Sequence, residues 1–110
     1  MKAILLLFYL SSAVAFAQQP TQTVRGKIFD SETQYPLVGA KVQVFTADSA
    51  KLYRALTNIS GEFSIVNVPV GKHNLIASYL TYDTKEVTIE VNSGKETIVQ
   101  VPMMESFIEQ

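Results

Sequence analysis

The strongest constraint on this chain is a period of two that repeatedly starts and breaks off. Val24, Gly26 and Ile28 alternate with Arg25 and Lys27. The Pro-bearing run "DSETQYPLVG" then interrupts, and Ala40, Val42 and Val44 alternate with Lys41 and Gln43. Successive side chains of a strand point to opposite faces, so such alternation marks a half-buried strand and each interruption a turn. The rhythm continues through "EFSIVNV" with Phe63 and Ile65 inward, and "HNLIASYL" with Leu75, Ala77 and Tyr79 inward. It ends with "KEVTIEV" (Val87, Ile89, Val91) and "ETIVQVPM" (Val99, Val101). In "KLYRALT" two faces compete, Leu52 with Leu56 against Tyr53 with Ala55. No window sustains apolar spacing at i, i+3 and i+4, so no long helix is expected. Seven short strands with turns between them predict an all-β fold, a seven-stranded antiparallel Greek-key β-sandwich.

The first residues follow another rule. "MKAILLLFYLSSAVAFAQQ" has a basic Lys2, an apolar run from Ala3 to Leu10, and Ala15 and Ala17 at the −3 and −1 positions of a cleavage site before Gln18. The run is shorter than the roughly 20 apolar residues a membrane-spanning helix needs. Residues 1–17 therefore read as a signal peptide, 18–22 as a polar leader, 23–103 as the sandwich, and 104–110 as a linker or the start of a further segment. Removing 1–17 takes Lys2 alone from nine basic residues and leaves eight against ten acidic ones, a net charge of −2. That balance offers no basic field for nucleic acid and no polybasic membrane patch. The chain has no cysteine. An exported domain of this size then rests on its core alone, burying about 60–65% of the unfolded chain's surface. The missing thiol also excludes a lipoprotein anchor and suits a bacterial envelope.

Residues able to do chemistry are sparse. His73 is the sole histidine, and without cysteines it cannot assemble the three or four N/S ligands of a zinc site. It is expected as a half-exposed residue at a strand start. Ser60, Ser64 and Ser78 share that one imidazole as a possible base, and no G-x-S-x-G pattern occurs. Asp30, Glu32, Asp48, Glu62, Asp83 and Glu86 fall in turns or on outward faces, where charges are solvated rather than paired for glycoside hydrolysis. Asn58-Ile59-Ser60 matches a glycosylation sequon, which carries no meaning in a bacterial host. Tyr35, Tyr53, Tyr79 and Tyr82 are scattered over strands and loops, as packing residues are. A Lys–Asn crosslink would have to use Lys27 or Lys41 with Asn92, and both lysines lie on the solvent phase of their strands. No catalytic, cofactor-binding or metal site is expected, and no cofactor.

The ordered pattern is more informative than any single residue. Gly26, Ile28, Asp30, Thr33, Pro36, Leu37, Gly39, Ala40 and Val42 are followed by Thr57, Asn58, Gly61 and Phe63, then by Val68, Pro69, Gly71, His73 and Leu75. This order resembles the carboxypeptidase-regulatory-like domain, a transthyretin-like sandwich, over about residues 23–103. Asn58 stands where that family more often has Asp, and Thr81 where a Gly precedes the aromatic Tyr82. The resemblance implies a non-enzymatic accessory domain. Such domains commonly follow the signal peptide of TonB-dependent outer-membrane receptors of the Bacteroidetes type, and "MESFIEQ" is similar to the segment that leads there into the plug. The expected setting is the periplasm or outer membrane of a Gram-negative bacterium, in nutrient uptake. The expected partners are an envelope protein or a glycan, with no nucleic acid and no membrane insertion of the mature domain. The alternative is a free-standing periplasmic or cell-surface sandwich that binds glycan or protein. Hydrolases of the transthyretin-like kind carry several histidines and a C-terminal Tyr-Arg-Gly-Ser, which a chain with one histidine ending "FIEQ" lacks.

Overall fold

A computed structural model describes residues 20–47 and 51–107; the signal-peptide reading of residues 1–17 lies outside them. Seven strands follow in chain order: β1 (Thr21–Asp30), β2 (Lys41–Thr46), β3 (Leu52–Leu56), β4 (Glu62–Pro69), β5 (Gly71–Ser78), β6 (Lys85–Val91) and β7 (Thr97–Met103). They form two sheets, one ordered β4-β1-β7 and the other β3-β2-β5-β6. The all-β sandwich and its seven strands are as the alternation predicts. One pairing differs from the antiparallel expectation. β1 and β7 run parallel, with Val24 opposite Thr97 and Asp30 opposite Met103. The reason is topological: β7 enters the three-stranded sheet by crossing over from β6 in the other sheet, so no hairpin forces it to run against β1.

Sheet crossing is the rule here. Only β2–β3 and β5–β6 are consecutive neighbours within one sheet. The turn at Gly61 therefore joins strands of different sheets, and it has the positive φ (76°) that favours glycine. β1 begins at Thr21, where Thr21 and Gln22 pair with Pro69 and Val68. Between Gln22 and Val24 the register slips by one residue on β4, a bulge relieved by Asn67 in the left-handed region at φ 61°.

The core lies between the sheets. Val24, Ile28, Phe63, Ile65, Val99 and Val101 from the three-stranded sheet meet Val42, Val44, Leu75, Ala77, Ile89 and Val91 from the other. The ambiguity in β3 resolves toward Tyr53 and Ala55, which pack against this core, while Leu52 and Leu56 face solvent. Gly26 has a more specific role than an inward alternating residue. A Cβ built there would stand 1.8 Å from the backbone carbonyl oxygen of Val99. The central strand approaches β7 so closely that no side chain fits.

Candidate functional site

Six strand ends and the exit from β7 converge at one end of the sandwich, and the polar residues of the family-like pattern gather there. At the end of β1, the Asp30 carboxylate accepts backbone N–H bonds from Glu32 (2.8 Å) and Thr33 (2.9 Å) through one oxygen. Its other oxygen accepts the Tyr82 hydroxyl at 2.6 Å. The Tyr82 bond first, then those from Thr33 and Glu32, hold the Asp30 carboxyl at about 2, well below its ordinary value. The same bond, with burial, pushes the Tyr82 hydroxyl up to about 12. Asp30 belongs to the three-stranded sheet and Tyr82 follows β5 of the other, so the pair ties the two layers together.

Two neighbours do similar work. The buried Thr57 hydroxyl accepts the Ala40 N–H at 2.8 Å and donates to the Leu37 carbonyl. The Asn58 side-chain oxygen accepts the N–H groups of Ser60 and Glu62, both at 2.9 Å, which shapes the turn leading into Gly61. Asp30, Thr57 and Asn58 are thus spent on backbone donors and acceptors and, at Asp30, on the Tyr82 hydroxyl as well.

The segment after β7 joins this construction. Asp83 N–H bonds to the Met104 carbonyl, Ser106 N–H to the Thr81 carbonyl, and Tyr82 bridges to Glu105. The Ser106 hydroxyl donates to Asp83 Oδ1 at 2.6 Å. Residues 104–106 thus pair with the β5–β6 loop.

His73 is buried rather than half-exposed. It is 6% exposed, with Nε2 2.6 Å from the Pro69 carbonyl. A carbonyl only accepts, so Nε2 carries the proton, and Nδ1 is enclosed without a partner. Across the sheet its register partners are Thr46 on β2 and Ile89 on β6, neither a base nor an acid. The imidazole therefore braces the β4–β5 turn. Ser60 and Ser64 are exposed and Ser78 half-buried, and the ring's hydrogen bond goes to Pro69 instead. Lys41 and Asn92 are both exposed and Lys27 is half-buried, an arrangement that does not enclose a crosslink. Among the described residues no group of three or more His, Cys, Asp or Glu side chains is placed to hold a metal ion.

The outer face of the three-stranded sheet carries a groove of ≈ 420 Å3. Arg25 and Lys27 of β1 run along its middle, flanked by Glu62 and Ser64 of β4 and by Ile98 and Gln100 of β7. Arg25 Nε lies 2.8 Å from Glu96, both half-exposed, an ion pair worth about 0–1 kcal/mol. Alternation places Arg25 and Lys27 outward on β1 alone. The shared row appears only once β1 is known to lie between β4 and β7.

These features define a sandwich domain whose polar motif residues build loops and whose outer sheet face carries a solvent-exposed groove. The chain belongs to the carboxypeptidase regulatory-like domain family, whose model matches residues 23–104. No curated protein matches this sequence. Among solved structures, a minor pilin of Streptococcus agalactiae is similar at 15% identity and a TM-score of 0.67, covering 84% of this chain and 48% of that one. A DUF3823-family protein from Parabacteroides merdae matches at 15% identity and 0.65, covering 83% and 49%. A hydroxyquinol 1,2-dioxygenase from Pseudomonas putida matches at 11% and 0.66, covering 83% and 58%. The chain thus spans about half the length of these structures. At such identities the likeness shows the fold alone, and an enzyme among the matches underlines that the fold does not set the function.

Proposed function

We propose that this chain is an exported, non-catalytic interaction module, forming the N-terminal extension of a TonB-dependent outer-membrane receptor of the Bacteroidetes type that serves nutrient uptake. The observation that carries the reading is the use made of the family's polar positions. Asp30, Thr57 and Asn58 hold loops through backbone bonds, as residues of a scaffold do. A secretory leader at residues 1–17 and a partner protein in the envelope fit the same picture, with the mature domain in the periplasm. The test is genetic and biochemical together. The reading frame should continue beyond Gln110 into a plug and barrel, and an epitope at the mature N-terminus should fractionate with the outer membrane. A stop codon after Gln110, with the tagged protein released as a soluble periplasmic monomer, would refute the receptor reading.

The alternative is a free-standing periplasmic or cell-surface module that binds glycan or protein. The groove along Arg25 and Lys27 favours it, because hydrogen-bonding side chains line its floor. Titrating uronic-acid and neutral oligosaccharides against Lys27→Ala and Gln100→Ala separates this reading from the first.

A further inference from the structure

Exposed large apolar side chains are unevenly distributed over the described residues. Tyr35 and Val38 on the β1–β2 loop, Ile59 on the β3–β4 loop, Leu80 on the β5–β6 loop, and Met104 and Phe107 after β7 all stand out into solvent. The topology puts every one of these segments at the same end of the sandwich. β1, β3, β5 and β7 end there, and β2, β4 and β6 begin there. Ile59 is 80% exposed, Leu80 85% and Phe107 90%. The loops at the opposite end carry no such side chain among the described residues.

The crown is also fixed in place. Asp30 N–H bonds to the Tyr35 carbonyl, and Tyr35 N–H to the Thr33 hydroxyl. Ile59 sits inside the turn closed by Asn58, and Leu80 inside the turn closed by Tyr82 N–H to the Tyr79 carbonyl. The tail bonds from Asp83 and Ser106 hold Met104. Apolar side chains on rigid loops lose little entropy on binding, which is how such a surface gains affinity. Exposed apolar side chains gathered at one end of a domain are the kind of surface that marks an interaction site.

We infer that this end of the sandwich docks an amphipathic surface of a partner protein, apolar where it meets the crown and basic beside it. The choice of occupant rests on charge. Asp30, Glu32, Glu62, Asp83 and Glu105 lie at this end, against Lys41, Lys85 and the half-buried Lys27 opposite Glu62, which leaves the rim acidic on balance. A second copy meeting crown to crown would bring like charges together, and an anionic bilayer would be repelled by the same rim. A basic partner is drawn in by it. The inference rests on the reading of the chain as an interaction module and is independent of its attachment to a receptor.

The experiment uses 15N-labelled purified protein and two synthetic amphipathic helical peptides, identical except that one carries Lys and the other Glu on its polar face. The Leu/Lys peptide should shift resonances of residues 31–39, 57–61, 79–84 and 104–107, and the Leu/Glu peptide should not. Ile59→Ser with Leu80→Ser should weaken that binding by about tenfold or more, while Val66→Ser with Ile98→Ser, exposed elsewhere, should not. Binding should also fall at about 1 M salt, where the screening length is roughly 3 Å. Four results would overturn the proposal. They are shifts confined to the Arg25–Lys27 groove (which would leave the module reading intact), equal response to both peptides, co-sedimentation with phosphatidylcholine/phosphatidylglycerol vesicles, and a crown-dependent dimer in sedimentation velocity.

Discussion

Thr81 offers a substitution that should stabilise the domain. Its φ is 69°, in the left-handed region, and it is the third residue of the turn closed by Tyr82 N–H to the Tyr79 carbonyl. With Leu80 not in that region, this is the geometry of a type II turn, whose third position asks for glycine. A β-branched side chain there costs about 1–2 kcal/mol. Glycine removes that cost and adds back about 0.5–1 kcal/mol of unfolded-state entropy. Thr81→Gly should therefore gain about 0.5–1 kcal/mol net, since the carbonyl that accepts Ser106 N–H is unchanged. In a domain of this size 1 kcal/mol moves the melting temperature by about 4–8 °C. Thermal unfolding by circular dichroism, paired with urea midpoints at constant m-value, reads the effect. An unchanged or lowered midpoint would show that the turn holds its conformation without strain, and the argument from φ would fail. The resemblance read from the sequence expects Gly before Tyr82, and the positive φ of Thr81 supplies a physical reason for that expectation.

Further substitutions test the scaffold. Gly26→Ala should abolish cooperative unfolding, because its Cβ would collide with the Val99 backbone of the paired strand, which cannot move aside as a side chain could. Phe63→Ala, removing a side chain only 4% exposed, should cost about 3–5 kcal/mol in urea denaturation. Thr57→Val keeps shape but strands the Ala40 N–H, for a loss of about 1–3 kcal/mol. The Asp30–Tyr82 pair should set the acid and base limbs of the stability profile. Asp30 is depressed from 3.8 to about 2, so its contribution is complete above the unfolded value and is lost as pH falls through about 2. Tyr82 is raised from 10.0 to about 12, so its contribution is complete below 10 and is lost as pH rises through about 12. Tyr82→Phe should flatten the base limb and weaken the acid one, read as melting temperature against pH.

Much of this architecture is readable before folding. Alternation locates the strands because side-chain direction is a local property, and the inward faces of β1, β2, β4 and β7 follow from it. β3 stays ambiguous in the sequence because both of its faces carry apolar residues, and only the neighbouring strand decides. The parallel β1–β7 pairing, the burial of His73 and the pairing of 104–106 with the β5–β6 loop depend on contacts between distant segments. The crown escapes for the same reason. Ile59 and Leu80 look like ordinary loop residues until the topology places their loops at one end.

The parallel pairing of β1 and β7 also has a mechanical consequence. The chain enters β1 at one end of the domain and leaves β7 at the other, so tension between entry and exit pulls these two strands past each other along their length. The seven register positions from Val24–Thr97 to Asp30–Met103 would carry that load together rather than open one after another. Rupture under force follows the unfolding rate rather than equilibrium stability. A domain strung between a tethered segment and a moving partner would thus resist extension far better than its modest core suggests.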